Sequence, residues 1–313
     1  VAIRLLVIVG PNAAGKTRLG IRVAHALGSE IVSADSRQVY RGLDIGSGKD
    51  LKEYREVDPP VPYHLIDVAS PKQIYSLFHY QRDCYRLLEE KSREQPFTDG
   101  VPLVMVGGSG LYVEAVLRGY RMANVPEDVE LRERLMQHGR DELVEQLRGL
   151  DPELARRTDC SSKKRVVRAL EIVEYGRHHE VRYSPPPPVV IEHAVYGVEL
   201  PRDELHRRID ARLSERMEQG LVAEVQGLLD QGVPPARMEM LGLEYREVSA
   251  LLAGRKDEAQ TLEDLRREIR RLAKRQMTWF RGLPRRGIDL TWIAPDHHHT
   301  VLEHPWCRGH RGD

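Results

Sequence analysis

I-R-L-L-V-I-V-G-P-N-A-A-G-K-T, residues 3–17, decides the fold. Ile3–Val9 is a nearly continuous apolar run, the pattern of a strand buried on both faces. It leads into Gly10-Pro11-Asn12-Ala13-Ala14-Gly15-Lys16-Thr17, which fits the phosphate-loop pattern G-x-x-x-x-G-K-[ST]. Helical spacing follows over Arg18–Leu27 and stops at Gly28. Strand, glycine loop and helix in that order is the context the motif requires. Gly10 and Gly15 let the backbone wrap a phosphate group, while amide N–H groups and the helix N-terminus supply positive potential. Lys16 adds a point charge, and the Thr17 hydroxyl is a hard oxygen that suits Mg²⁺. The loop predicts a grip on a di- or triphosphate and leaves ATPase, kinase and transferase chemistry open.

Outward from the loop, Glu30–Ala34, Tyr63–Val68 and Pro102–Val106 read as further strands and Ser76–Glu90 as a helix. The alternation predicts an α/β fold with a P-loop NTPase-like parallel sheet flanked by helices, residues 1–118 forming its first part. From Gly119 the texture changes. Residues 126–180 are charged and helical, and Ser184 followed by Pro185–Pro188 makes a stiff extended connector. An inserted helical domain is therefore expected over 119–189. Ala194–Leu200 is expected to return to the sheet, with long amphipathic helices over 203–229 and 257–282 completing the core to residue 295. Residues 296–313, with His297–His299 and a terminal Arg-Gly-Asp, read as a flexible tail.

The 313 residues are 41% hydrophobic and 31% charged, enough apolar material for a real core and against wholesale disorder. Lys+Arg and Asp+Glu are both 48, which excludes a uniformly basic, histone-like binder. No window reaches the ~18 consecutive apolar residues of a membrane span. The N-terminal run carries Arg4 and enters a glycine loop, unlike a secretory signal, so a cytoplasmic protein without membrane partners is expected. Cys84, Cys160 and Cys307 are far apart, which argues against a disulfide scaffold or zinc ribbon. His178-His179 and His297–His299 lack carboxylate or cysteine partners at ligand spacing.

Asp35 stands at the carboxyl end of the second strand, the sheet edge where ligands bind. Two readings stay open there: a general base or metal-water ligand, or an N-cap of a short helix. Ser36, Arg37 and Gln38 are positioned to touch a polar substrate. Gly107-Gly108-Ser109-Gly110-Leu111-Tyr112 fits neither G-x-S-x-G nor G-x-G-x-x-G, so a hydrolase elbow and a dinucleotide fingerprint both fail. That strand ends in glycine where a Walker-B Asp would stand, which disfavours plain ATP hydrolysis. Basic charge concentrates in Leu154–Arg168 and Asp264–Arg286, the second holding Trp279 and Phe280. Concentrated cations with a few aromatics suit an RNA backbone and unstacked bases; a solvated helix face is the alternative. Arg208 and Arg212 share a helix face, where a guanidinium can clamp a diphosphate; salt-bridging to Glu204 or Asp210 is the alternative.

Taken together these segments resemble the tRNA dimethylallyltransferase (isopentenyl-pyrophosphate transferase) family over roughly residues 5–293. The resemblance rests on G-P-N-A-A-G-K-T (10–17), S-A-D-S-R-Q-V-Y-R-G-L-D-I-G (33–46), Y-H-L-I-D (63–67) and V-G-G-S-G-L-Y (106–112). It continues through D-P-E-L-A (151–155), K-R-V-V-R-A-L-E (164–171), G-L-V-A-E-V (220–225) and K-R-Q-M-T-W-F (274–280). It implies transfer of a dimethylallyl group from dimethylallyl diphosphate to the exocyclic amine of an adenosine just 3′ of the tRNA anticodon. By that resemblance Gly10, Asn12, Ala13, Ala14, Gly15, Lys16 and Thr17 hold the diphosphate, with Mg²⁺ near Thr17. Asp35 accepts the amine proton, and Arg212, ahead of Arg208, neutralises the departing diphosphate. Asp35, Ser36, Arg37, Gln38 and Ser109 contact the extruded base. Lys164, Arg165, Arg168, Arg275 and Gln276 contact the anticodon stem-loop. A monomer is expected.

There are departures from the family pattern. Asn12 stands where Thr is usual, and Ser109 replaces Thr while keeping the hydroxyl. Residues 46–50 read G-S-G-K-D where G-T-A-K is commoner, followed by the acidic-basic stretch Lys52–Asp58. Three competing readings define the tests. Prenylation of free adenine nucleotides needs neither the insertion nor the basic helix. A P-loop NTPase or small-molecule kinase needs a second carboxylate at a strand end. A non-catalytic RNA-binding protein consumes no diphosphate.

Overall fold

The structure, a computed structural model, describes residues 2–94 and 100–308. Six parallel strands form one sheet: β1 (Ala2–Val9), β2 (Ile31–Ser33), β3 (Tyr63–His64), β4 (Leu103–Gly107), β5 (Val190–Val198) and β6 (Thr291–Ile293), in the order β3-β2-β4-β1-β5-β6. β1 lies at the centre, with Leu5–Val9 fully buried because both of its faces are covered. Its partners are Leu103–Gly107 on one side and Val190–Gly197 on the other. Val9 is level with Gly107, and Ser33 with Val106, so the turns after β1, β2 and β4 emerge at one edge.

Several elements differ from expectation. β3 is two residues long because Leu65 and Asp67 adopt left-handed φ values of 61° and 58°, which end the ladder. β5 starts at Val190, ahead of the expected Ala194. β6 was not foreseen, since three residues are too few to display a period. The helix expected over 203–229 is two, Arg202–Glu218 and Leu221–Asp230, broken where Gly220 takes φ 100°. Residues 298–308 are not a loose tail. His298–Leu302 is helical, Pro305–Cys307 forms a 3₁₀ turn, and Val301 and Cys307 are fully buried in the main core. Residues 309–313 lie outside the described residues.

Tyr120–Pro186 forms a smaller compact unit, and the rest of the described chain the larger one. The smaller unit packs helices Val129–Gln137, Arg140–Leu150, Pro152–Arg157 and Lys163–Gly176 around Leu131, Leu135, Leu143, Leu147, Val166, Val167 and Leu170. Asp128 and Asp151 cap two of these helices by accepting from Leu131 N–H and Leu154 N–H. Buried Glu171 is held by Arg132 at 2.7 Å.

Gly107 closes β4 against β2, where a Cβ would stand on the carbonyl oxygen and carbon of Ala34. Backbone cannot yield as a side chain does. Gly107→Ala is therefore expected to destabilise the protein by at least about 1–3 kcal/mol, read as a lower urea midpoint at unchanged slope.

Candidate active site

The phosphate loop turns on two left-handed residues, Ala13 (φ 63°) and Gly15 (φ 89°), before helix Lys16–Leu27. At Gly10 a Cβ would lie 2.8 Å from the Val198 carbonyl oxygen, so the loop reaches its helix only past a glycine. Gln276 clasps the loop from helix Glu258–Arg281. Its Oε1 accepts from Asn12 N–H at 2.9 Å, and its Nε2 donates to the Gly108 carbonyl at 3.0 Å and to Asn12 Oδ1 at 3.2 Å. Lys16 Nζ donates to the Pro11 carbonyl at 2.8 Å. Burial lowers the Lys16 pKa to about 8; the nearby Asp35 carboxylate opposes that shift and Arg212 adds to it.

These groups open into a cavity of about 270 Å³. Asn12, Ala13, Lys16 and Thr17 form one wall; Asp35, Arg37 and Gln38 form the next. Arg212, Arg216 and Arg275 bring positive charge from two helices, and the turn Gly46-Ser47-Gly48 closes the side facing Tyr54 and Glu244. Gly10, Ala14, Gly15, Ser36, Ser109 and Gln276 stand behind the walls rather than in them.

No helix follows Asp35, so it is not a helix N-cap; residues 36–39 form a turn. Asp35 Oδ1 accepts from Arg37 N–H at 2.8 Å, and the residue also lines the cavity with Lys16. Ser36 N–H donates to Ser109 Oγ at 2.9 Å, tying the turn after β2 to the turn after β4. Gln38 accepts from Ser33 Oγ at 2.9 Å and donates to the Gly48 carbonyl at 3.2 Å.

Of the two arginines singled out from helical spacing, Arg212 lines the cavity and Arg208 does not. Arg208 is exposed and bound to Glu204 at 2.8 Å. Arg216, one turn further on the same row, was missed although the i,i+4 spacing signalled it. Glu244 was missed too, with no local signal. Burial pushes its carboxyl pKa up, and Arg216 at 3.4 Å opposes that.

The basic helix is less free than its charge sum suggests. Arg267 pairs with Asp264, Arg270 with Asp210, and Arg271 with Glu268. Phe280 is not a platform for a base but is fully buried in the core, and Trp279 packs over Gly110 with Arg286 stacked on its ring at 4.9 Å. Gln276 is engaged on the phosphate loop, which the tRNA-contact expectation did not foresee. In the smaller unit Lys164 and Arg165 are exposed, Arg165 pairing with Asp159 at 2.5 Å. Arg168 instead braces that unit, donating to the Val125 carbonyl at 2.6 Å and lying 3.3 Å from Glu171. No helix among the described residues is long and apolar enough to cross a membrane.

The IPP transferase family model matches residues 38–283, and the isopentenyl transferase model matches residues 3–58. A tRNA dimethylallyltransferase 1 of Syntrophus aciditrophicus is 45% identical over 96% of this chain and 96% of its own. The chain belongs to the tRNA dimethylallyltransferase family. A tRNA dimethylallyltransferase 2 of Syntrophotalea carbinolica is 46% identical over 92% of this chain and 93% of its own. The full-length tRNA isopentenylpyrophosphate transferase of Bacillus halodurans superposes with a TM-score of 0.66 at 31% identity, covering 96% of this chain and 93% of that one. A eukaryotic dimethylallyltransferase acting on tRNA gives a TM-score of 0.70 at 20% identity, a likeness of fold. Family membership makes this protein a transferase, and the family's P-loop core is the parallel sheet described above.

Proposed function

We propose that this chain transfers a dimethylallyl group from dimethylallyl diphosphate to the exocyclic amine of the adenosine 3′-adjacent to the anticodon in tRNA, releasing diphosphate. The observation that carries the reading is one cavity lined by both a phosphate loop and a carboxylate: Lys16 and Thr17 with Asp35. The diphosphate sits on the loop from Gly10 to Thr17. The allylic C–O bond breaks with its electron pair going to the diphosphate oxygen, and a C–N bond forms to the adenine amine. Lys16 and Arg212 stabilise the charge that grows on the leaving group. The amine proton passes to the Asp35 carboxylate, which also aligns this weak nucleophile. The Thr17 hydroxyl lines the cavity too and is a hard oxygen that fits Mg²⁺; bound there, the ion would supply further charge neutralisation for the diphosphate.

The base reaches this cavity only by leaving its stack, at a cost of a few kcal/mol that backbone contacts offset. Arg275 at the cavity and exposed Lys164 and Arg165 are the basic groups we assign to those contacts. We take the cytoplasm as its place of action, because the substrate of this reading is a tRNA.

The test is mass spectrometry of tRNA nucleosides after incubation with dimethylallyl diphosphate. Appearance of prenylated adenosine beside the anticodon is expected, and no incorporation into any tRNA overturns the reading. Competition between AMP and tRNA separates it from prenylation of free nucleotides. ATP turnover dependent on Lys16 would favour a kinase or NTPase.

Lys16 also sets a pH dependence. With its pKa at about 8, the ammonium is charged below that pH and neutral above it. The empty enzyme's affinity for diphosphate is therefore expected to fall as pH rises through about 8. Calorimetry with inorganic diphosphate on either side of that value reads it, and Lys16→Ala should flatten the profile.

A further inference from the structure

Of the G-S-G-K-D stretch (46–50), which departs from the commoner family pattern, Gly46, Ser47 and Gly48 line the cavity, Lys49 is buried and Asp50 is exposed. Its loop is anchored at three points. Glu224 accepts from the N–H groups of Asp44 (2.9 Å), Ile45 (2.6 Å) and Gly46 (3.0 Å) and from the Tyr245 hydroxyl (2.8 Å). The fully buried Lys49 ammonium is held by Asp44 at 2.6 Å and Asp67 at 2.5 Å. The Gly48 carbonyl accepts from Gln38. So fixed, the loop presents Asp50, in a left-handed conformation (φ 49°), to Arg212, and the two form an ion pair.

Asp50 is bonded to Arg212, while Glu53 and Glu215 act on it through space. Arg216 lies on the same helix row, and a Cβ at Gly48 would run into both guanidinium groups. Burial and Arg216 lower the Arg212 pKa, while Asp50 opposes that shift. Lys16 lies close enough to feel Arg212 as well. The cavity is lined by Lys16, Arg37, Arg212, Arg216, Arg246 and Arg275 against Asp35, Glu239 and Glu244, an excess of cations to which an acid bonded to Arg212 adds counter-charge, and diphosphate needs that same guanidinium.

We infer that Asp50 is an exchangeable counter-ion for Arg212: it holds the guanidinium while the cavity is empty, yields it to the diphosphate, and reclaims it when diphosphate leaves. This rests on the diphosphate site proposed above and makes Asp50 a positioning residue that sets donor affinity and product release. A carboxylate that competes with the ligand weakens binding, so its removal strengthens it. That sign is opposite to the effect of a merely disrupted loop.

Calorimetry of the full chain with inorganic diphosphate tests the inference. Asp50→Asn is nearly isosteric and Asn tolerates left-handed φ. Tightening of about five-fold is expected, the scale of a partly exposed ion pair, with diphosphate becoming a correspondingly stronger product inhibitor. Asp50→Gly, which also suits the backbone, should tighten binding in the same direction. Weaker or unchanged binding in both variants overturns the inference while leaving the diphosphate site in place. Equal tightening by Glu53→Gln, a nearby acid that is not bonded to Arg212, overturns it in favour of a general field effect. Failure of the unaltered protein to bind diphosphate overturns the underlying reading and this inference together.

Discussion

Asp35→Asn is expected to lower the rate of prenyl transfer at saturating dimethylallyl diphosphate by about 10²–10⁴-fold, the range for losing a general base. The substitution isolates charge from geometry. Asn retains an oxygen that can accept from Arg37 N–H as Asp35 Oδ1 does, so the turn after β2 should persist. What goes is the acceptor for the amine proton. A smaller second effect has a defined sign. The Asp35 carboxylate raises the Lys16 pKa against burial, so without it Lys16 loses its proton below about pH 8. The pH at which diphosphate affinity falls should therefore move below about 8, while the transfer rate at saturation falls far more. Single-turnover transfer of labelled dimethylallyl diphosphate to tRNA, set beside diphosphate calorimetry, separates the two. Unchanged transfer would remove Asp35 from the chemistry and leave it only its turn-forming bond with Arg37 N–H.

Lys16→Met should reduce kcat/KM by about 10²–10³-fold, the scale of one lost group that stabilises transition-state charge. Met keeps much of the chain length, so packing at the loop changes little while the ammonium and its bond to the Pro11 carbonyl disappear. Affinity for inorganic diphosphate should fall with it. tRNA binding measured without donor should hold, because the exposed cations of the smaller unit are untouched. Full activity in this variant would show that the glycine-rich turn and helix N-terminus suffice without the charge.

How much of the site was legible depended on how local each feature is. The phosphate loop lies within eight consecutive residues, 10–17, and its strand and helix announce themselves on either side. Asp35 was legible as a strand end because apolar runs in a parallel sheet all stop at the same edge. Arg212 was legible from helical spacing, but its preference over Arg208 in the cavity wall came from the way helix Arg202–Glu218 packs, and Arg216 needed the same information. Gln276 could be read only as part of a basic helix. Its contact with Asn12 spans 264 positions, and no periodicity reports such a pairing. The supposed tail after residue 295 was misread because its buried residues, Val301 and Cys307, are too few and too short a run to show a pattern.

By itself, then, the sequence determined the parallel core, the phosphate loop and membership of the family, because each follows from residue type at short, regular spacing. Tertiary structure alone decided which arginines face the cavity, that Glu224 and Lys49 anchor the loop at 44–50, and that Asp50 meets Arg212 from 162 positions away. The physical reason is range. Strand and helix patterns are set by neighbours along the chain, whereas the partner of a charge is set by which helix the whole core presses against it.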